Sequence, residues 1–538
     1  MTPDAVRTNR ATALRHAAVL LGVCALLYLP FLGQGGLTDT EGHRAIPAYE
    51  MLDRGSYVVP TLFERPYLRK PPAIQWAIAS TSALLGRTEL AARLPSAIGA
   101  TLTALGAFCF AWRWFGLTRQ GVPIALGAGL AFALLPWFWP SNRSAEIEAL
   151  NNLATALAAW FILDRLVLAR ARSAKSETRC ALAIGAAIAL MLLAKGPAGV
   201  PVIAGAIVAS VLVRRSWRVL GSASVWGGLL LGGLVFGVWA LLVSRSLAAW
   251  PEGGPPTVRQ SPGAFMFEDG FDAGQLLRVL GMAPSALLFA LPASFALLFP
   301  WGPDAKAEAS SDERDESGTS AHERWKLARA IAWSALIGLA ILTLMGVDNP
   351  RYALPVMVVV PPAVGALLRG LADARAGNGT GLTPNRAAIA RWMLLRLPRP
   401  IGSCWVVVLV GLGLAYPHVL ESRVRATSGR ASGFALGESL AGLEAVPGVL
   451  YADGLIEARP ETLWYAKQRI HGLGGRAPRV VWHPLSTLGP RTAVLVARRT
   501  DAGSPESAMT SESRGAPLVR GEVHKFGYAL ELWRGEHE

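Results

Sequence analysis

Long apolar stretches constrain the fold of this chain more than any other feature of its sequence. A membrane-spanning helix needs roughly 20 mostly apolar residues, and the chain contains eleven such stretches. They cover residues 13–33, 93–115, 122–140, 147–168, 180–195, 197–213, 222–244, 277–300, 327–346, 353–371 and 400–419. Of the 538 residues, 52% are hydrophobic and 17% are charged, which is more apolar than a typical soluble domain. We therefore expect an all-α polytopic membrane domain of about eleven transmembrane helices.

The basic residues indicate how this domain is oriented. The formal net charge is +15, but the cations are spread through the loops and do not form one basic domain, so we expect no nucleic-acid partner. With the N-terminus inside, basic loops at 170–179, 214–218 and 375–399 fall on the inner face, as the positive-inside rule requires. The outer face then receives residues 34–92 and everything after about 420.

Composition divides the chain into a transmembrane domain, 1–425, and a small C-terminal α/β domain on the outer face, 430–538. The second has short β-type runs such as "GVLYADG" and "TAVLVARR" and one helical run, "RPETLWYAKQRI". Within the first, residues 34–92 form a long outer loop with amphipathic helices. Residues 303–325 are charged and rich in Ser, and we expect a cytoplasmic linker there.

Ionisable residues next to the apolar stretches gather on the predicted outer face. Such groups are costly near a bilayer, so a cluster of them indicates a functional site. The candidates beyond the first outer loop are Arg143 and Glu148 before the fourth stretch, with the ionisable Glu146 between them, Lys195 after the fifth, and Arg351 with Tyr352 before the tenth. Salt bridges within the protein and helix-dipole interactions are the alternative for Arg143 and Glu148. Lys195 either reaches the lipid headgroups or binds an anion.

Asp39 and Glu41 are the candidate acids of the first outer loop. A carboxylate at the edge of the bilayer can accept a proton from an incoming hydroxyl group. The alternative is that Asp39 or Thr40 caps a helix and that Glu41 is a surface charge.

The segment "YLRKPP" contains a candidate site for a lipid phosphate. Proline restricts the residue before it, so Lys70 is held in an extended conformation with Tyr67 three residues away. A cation and a phenol at headgroup depth suit a phosphate, although Lys, Tyr and Trp are also common as interfacial residues. The segment "DNPRYALP" repeats this combination at Arg351 and Tyr352.

These motifs, in the order "LTDTEGHRA", "YLRKPP", "ARLPSA", "LLAKGP" and "NPRYALP", resemble those of the GT-C superfamily of polyprenyl-phosphate-sugar glycosyltransferases. The most similar branches are the bacterial aminoarabinose transferases of lipid A and the protein O-mannosyltransferases. The resemblance covers the organisation of residues 1 to about 370, while the C-terminal region matches in position only.

The resemblance implies an inverting, multi-pass enzyme of the bacterial inner membrane that acts on the periplasmic face and needs no nucleotide sugar or other cofactor. Its donor would be a sugar on a polyprenyl-phosphate carrier, and its acceptor lipid A, another glycan or a protein. Asp39 would be the catalytic base and Glu41 would orient it. The carrier phosphate would be bound by Tyr67, Lys70, Arg351 and Tyr352, with Arg44, Arg143, Glu148 and Lys195 in support.

The chain departs from these families in two places. Their "DE" pair is here "DTE", so the alignment can place either Thr40 or Asp39 at the position of the catalytic aspartate. In the aminoarabinose branch a glutamate linked to a metal site precedes the lysine, and here Arg69 stands in its place. We therefore expect no metal site.

Two other classes of function fit the same residues. In a transporter or flippase of lipid-linked sugars, the cations would line a translocation path. In a membrane-bound scaffold, the C-terminal region would bind a partner and the charges of 34–92 would tolerate change. The sugar, the acceptor and the oligomeric state are open at this point.

Overall fold

The computed structural model describes most of the chain. The described residues are 3–115, 121–168, 173–248, 250, 273–291, 293–294, 297, 321–375, 399–421, 429–442, 449–452, 460–475, 477, 479–482, 494–499, 519–523 and 528–533. For some of these, Asp39 among them, only the backbone is described.

Helices make up most of the described structure. The first part contains α1 Pro3–Tyr28, α2 Gly42–Arg54, α3 Ala73–Leu85, α4 Glu89–Phe115, α5 Gly121–Ala133, α6 Trp139–Asn142, α7 Glu148–Leu168, α8 Ala174–Lys195, α9 Val200–Arg214 and α10 Ala223–Ala248. The second contains α11 Ala273–Phe289, α12 Ala321–Leu344, α13 Leu354–Met357, α14 Pro361–Arg375, α15 Arg399–Tyr416, α16 Gly429–Ala441 and α17 Pro460–Gly472. Short 3₁₀ turns lie at Asp39–Glu41, Pro136–Phe138, Gly196–Gly199, Trp217–Gly221 and Pro350–Ala353, and a π turn at Pro417–Glu421.

A helix lies at each of the eleven apolar stretches, and the protein is a multi-pass membrane protein. Within the described residues, five candidate spans are long and apolar enough to cross a bilayer, one of which joins α8 and α9. The number rises to seven if two bent pairs each count as one span: α5 with Pro136–Asn142, bent by 48°, and Pro350–Met357 with α14, bent by 53°. The count of eleven therefore stays a prediction.

The linker at 303–325 stays a prediction. Helix α12 begins at Ala321, before the apolar stretch itself. The chain from Ala321 to Trp325 is therefore helical, and residues 303–320 lie outside the described part of the structure.

The strands of the C-terminal region form one five-stranded sheet with the order β4-β3-β5-β7-β6. The strands are β3 Val449–Ala452, β4 Arg479–Trp482, β5 Val494–Arg499, β6 Val519–Val523 and β7 Tyr528–Trp533. Strand β3 pairs in parallel with β4 and β5, and β7 pairs antiparallel with β5 and β6. That residues 430–538 are a domain of their own stays a prediction.

Two short strands, β1 Thr61–Leu62 and β2 Arg65–Pro66, form a hairpin in the first outer loop. Its turn residues Phe63 and Glu64 have φ angles of 49° and 67°, which are rare for residues other than glycine. The Glu50 carboxylate of α2 stabilises this turn, because it accepts hydrogen bonds from the N–H groups of Phe63 (2.7 Å) and Glu64 (3.3 Å). The side chain of Glu64 then pairs with Arg479 of β4.

Helices α8 and α10 pack closely because glycines on α10 leave room for isoleucines on α8. A Cβ atom at Gly228 would lie 2.7 Å from Cβ of Ile184, and one at Gly232 would lie 2.6 Å from Cβ of Ile188. Such small residues four apart let membrane helices approach each other. The neighbouring Gly227 has no atom within 4 Å of the same position.

We predict that Gly228→Val destabilises the protein and that Gly227→Val does not. Overpacking a close contact costs about 1–3 kcal/mol, while both changes alter helix propensity equally. Thermal unfolding of the two variants in detergent checks this. Equal melting temperatures would contradict the packing described here.

Candidate active site

Three of the predicted site residues meet at one end of the helical bundle. Glu148 is the first residue of α7, Lys195 is the last of α8, and Arg351 lies in the turn before α13. Oε1 of Glu148 lies 3.2 Å from Nζ of Lys195 and 3.0 Å from Nε of Arg351. The three side chains thus lie together, and their place on the outer face of the membrane stays a prediction.

The three side chains differ in exposure, and the cluster is accessible from outside the protein at Arg351. Glu148 and Lys195 are 5% and 6% exposed, whereas Arg351 is 43% exposed. The ring of Tyr352 lies 4.9 Å from Nζ of Lys195, within the range of a cation–π interaction. Tyr352 therefore belongs to the cluster through its contact with Lys195.

Glu146 is a second carboxylate of the cluster, and we did not select it from the sequence. Its Oε1 lies 3.3 Å from Nη2 of Arg351 and accepts a hydrogen bond from the hydroxyl of Thr40. Burial, and then the negative charge of Glu148, raise the pKa of Glu146 above its usual range. The only sequence signal was its place between two selected residues in "NRSAEIE".

Lys70 brings the first outer loop to the same cluster. Burial lowers the pKa of Lys70, and the positive charges of Lys195 and Arg44 lower it further. A neighbouring charge has such an effect only at short range. Three cations from separate segments therefore lie near one another, and Arg351 is joined to them through Glu148.

Arg44 and Tyr67 are both buried and contact each other. Nη1 of Arg44 donates a long hydrogen bond of 3.4 Å to the Tyr67 hydroxyl. The ring of Tyr67 also packs against His43, with centroids 5.8 Å apart. Tyr67 is only 3% exposed, so its direct contact with a carrier phosphate stays a prediction.

The cluster as a whole has an excess of positive charge. Two carboxylates, Glu146 and Glu148, face four cations: Lys70, Arg44, Lys195 and Arg351. The raised pKa of Glu146 reduces the negative charge of the cluster further. Cations that converge from different segments are the usual means of binding a phosphate group. The arrangement can therefore bind an anion and stabilise negative charge that develops on it.

Glu41 has a different environment from the cluster. Its carboxylate accepts hydrogen bonds from Nε and Nη2 of Arg93, both 2.8 Å long, and from the N–H groups of Ala145 (2.9 Å) and Thr38 (2.8 Å). Burial raises the pKa of Glu41, but Arg93 and these hydrogen bonds outweigh burial and lower it overall. Glu41 is thus ionised but enclosed by protein, with 1% of its surface exposed. The alternative of a surface charge for Glu41 is wrong.

Asp39 precedes this residue by two positions in the same 3₁₀ turn. Its side chain lies outside the described part of the structure. Its assignment as the base therefore stays a prediction, and only the path of the backbone next to Thr40 and Glu146 is observed.

Arg143 is not brought into the cluster. Its guanidinium pairs with Glu421 through Nε at 2.9 Å and donates to the carbonyl oxygens of Leu27 (2.8 Å) and Pro30 (2.7 Å). These contacts hold the end of α1 against the chain that follows α15. The alternative expected from sequence, a salt bridge within the protein, is the one observed.

Within the described ranges, no three His, Cys, Asp or Glu side chains lie close enough to hold a metal ion. The prediction that the reaction needs no metal stays open.

Sequence comparison finds that part of the chain is similar to glycosyltransferases. Residues 69–241 match the family described as dolichyl-phosphate-mannose-protein mannosyltransferase. An undecaprenyl phosphate-α-4-amino-4-deoxy-L-arabinose arabinosyl transferase of Pseudomonas savastanoi is 34% identical over 158 residues, which are 29% of either chain. The corresponding enzyme of Pectobacterium atrosepticum is 28% identical over 28% of this chain and 24% of its own. The matched stretches thus span less than a third of these relatives.

Structural comparison covers nearly the whole chain. The crystal structure of ArnT from Cupriavidus metallidurans in the apo state has a TM-score of 0.63, covering 96% of this chain and 97% of that one. The fold resembles that of ArnT. ArnT bound to undecaprenyl phosphate gives 0.62, covering 97% and 99% of the two chains, and both comparisons show 18% identity. At this identity the comparison shows the fold alone, and it confirms the predicted GT-C-like architecture.

We predict that Glu41→Gln destabilises the protein strongly. Breaking a buried ion pair typically costs about 3–5 kcal/mol, because the remaining charge of Arg93 stays buried without its partner. Thermal unfolding measures the effect. The matched control is Glu438→Gln, which removes the exposed pair with Arg469 and should change stability by less than about 1 kcal/mol. Equal effects of the two changes would contradict a structural role for Glu41.

Proposed function

We propose that this protein is an inverting glycosyltransferase that moves a sugar from a polyprenyl-phosphate carrier to an acceptor outside the cytoplasm. The observation that carries the proposal is the convergence of Lys70, Lys195 and Arg351, from three distant segments, at one end of the bundle. These three cations lie near the start of α7. We propose that a lipid phosphate at headgroup depth reaches them there.

The comparisons support this proposal. The fold resembles that of an enzyme whose structure has been determined with undecaprenyl phosphate. The sequence relatives are named as arabinosyl transferases that use an undecaprenyl-phosphate-linked sugar. We propose that the acceptor is lipid A, another glycan or a protein. We also propose that the protein lies in the bacterial inner membrane, with its site on the periplasmic face. We also propose about eleven spans and a C-terminal outer domain, 430–538.

In the proposed reaction the carrier phosphate is the leaving group. Its negative charge increases as the bond to the anomeric carbon breaks, and preorganised cations stabilise that charge more in the transition state than in the ground state. Burial and then the neighbouring cations lower the pKa of Lys70, so the growing negative charge on the phosphate favours the protonated form of this lysine. Glu148 holds Lys195 and Arg351 in place through its shared Oε1 atom.

The acceptor hydroxyl must lose its proton as it attacks the opposite side of the anomeric carbon, and we assign this step to Asp39 as general base. Glu41 is unsuited to it, because both of its oxygens already accept hydrogen bonds from the protein. Glu41 instead fixes the turn that carries Asp39. No metal ion takes part in the proposed reaction.

A transfer assay tests the proposal directly. Purified protein in lipid vesicles is given labelled polyprenyl-phosphate sugars together with lipid A, and we expect label on the acceptor. Movement of the carrier across the membrane without sugar transfer would overturn the proposal in favour of a flippase.

We predict that Asp39→Asn lowers turnover by about 10²- to 10⁴-fold, which is the usual contribution of a positioned base, while carrier binding persists. Turnover per folded molecule and carrier affinity are measured side by side. Glu41→Gln, measured on its folded fraction, should cost less. An active Asp39→Asn variant together with a folded but inactive Glu41→Gln variant would make Glu41 the base.

We predict that Lys70→Ala weakens carrier binding by about 10- to 100-fold, the worth of one charge-assisted hydrogen bond. If Lys70 and Arg351 bind the same phosphate, Lys70→Ala and Arg351→Ala should be non-additive. The control pair combines Lys70→Ala with Arg87→Ala, which removes only an exposed contact with Asp53, and should be additive. Additivity in both pairs would assign Arg351 a purely structural role, and Tyr352→Phe is expected to follow Arg351→Ala.

A further inference from the structure

The helix α17 of the C-terminal region packs directly against the first outer loop. The ring of Trp464 stacks on Tyr49 of α2, with centroids 5.4 Å apart. The next residue, Tyr465, contacts the ring of Trp464 edge to face at 4.8 Å and the ring of Phe434 of α16 edge to face at 5.9 Å. Arg430 lies over both of these rings, 5.4 Å from Phe434 and 5.8 Å from Tyr465. Contacts between α16 and α17 thus hold the side chain of Tyr465 in place next to the membrane domain.

The hydroxyl of Tyr465 uses both of its hydrogen-bonding functions on the membrane domain. It accepts a hydrogen bond from the N–H of Leu37 at 2.7 Å and donates one to Oε1 of Glu89 at 2.9 Å. Tyr465 is 1% exposed and Leu37 is fully buried. Burial, and then the charge of Glu89, raise the pKa of Tyr465, so the hydroxyl keeps its proton and stays a donor to Glu89.

These contacts fix one end of the turn that carries the proposed base. Leu37 lies two residues before Asp39, and Glu41 lies two residues after it. Glu41 is held by Arg93, and Leu37 is held through Tyr465 by Glu89, four residues earlier on the same helix α4. The segment Leu37–Glu41 is therefore attached at both ends to α4, directly at one end and through the C-terminal region at the other.

We propose that Tyr465 is a positioning residue that places the segment Leu37–Glu41, and with it Asp39, for the transfer reaction. The proposal rests on the proposed function, since it requires Asp39 to act in catalysis. A base that is displaced by a fraction of an ångström loses much of its effect, so a hydrogen bond to the backbone two residues away can influence turnover.

The test is Tyr465→Phe, which keeps the ring contacts with Phe434 and Trp464 but removes the hydroxyl. The N–H of Leu37 then stays buried without its partner, which is unfavourable. We expect kcat to fall by about 10-fold or more, with the KM for the carrier unchanged within about twofold. Hydrogen–deuterium exchange at Leu37 should also become faster.

The matched control is Arg469→Gln on the same helix. It removes the exposed pair with Glu438 and the contact of the guanidinium with the ring of Phe434 at 5.9 Å. Both partners lie on α16, and neither lies on the first outer loop. We expect this variant to keep both kcat and the slow exchange at Leu37. An equal loss of kcat in both variants would mean that Tyr465 only supports the C-terminal region, and would overturn the proposal.

The outcomes separate this proposal from the function on which it rests. If Asp39→Asn abolishes turnover while Tyr465→Phe leaves kcat unchanged, the positioning role is wrong and the proposed function stands. If the wild-type protein transfers no sugar, the proposed function fails, and the exchange rate at Leu37 still reports whether Tyr465 holds the segment.

Discussion

The buried ion pair between Glu41 and Arg93 is the interaction on which the arrangement of the site depends. Both side chains are almost fully enclosed, with 2% and 1% exposed, and neither charge could remain there alone. The same guanidinium donates to the carbonyl oxygens of Leu32, Gln34 and Gly36. One arginine of α4 therefore fixes the path of the chain from the end of α1 to the 3₁₀ turn, and the N–H of Ala145 joins the start of α7 to the same carboxylate.

The charges of the cluster are balanced only in part without an anion. The lowered pKa of Lys70 and the raised pKa of Glu146 both reflect the cost of holding charge in a poorly hydrated place. A phosphate beside Lys70 would favour its protonated form, and by linkage the protonated lysine favours the phosphate. A phosphate would thus offset the cost that burial and the neighbouring cations impose on the charge of Lys70.

The sequence predicted the helices because each apolar stretch is long enough to exclude other structures, and it predicted Lys70, Glu148, Lys195 and Arg351 because charged groups are rare beside such stretches. It did not predict which charges pair. Arg143 meets Glu421 and Tyr465 meets Glu89, contacts between residues hundreds of positions apart. Local spacing carries no information about such pairs, so Arg143 was assigned to the site and Arg93, Glu146 and Tyr465 were not.

Thr40 of "DTE" makes a contact that spacing alone does not reveal. In a 3₁₀ turn there are about three residues per turn, so consecutive side chains point in well-separated directions. Glu41 forms the buried ion pair with Arg93, while the hydroxyl of Thr40 donates a hydrogen bond to Glu146 in the charged cluster. A directly adjoining acid pair would lack this hydroxyl. Thr40 therefore joins the turn of Glu41 to the cluster, and the same turn that contains Asp39 also holds Glu146, one of the two carboxylates that face Arg351.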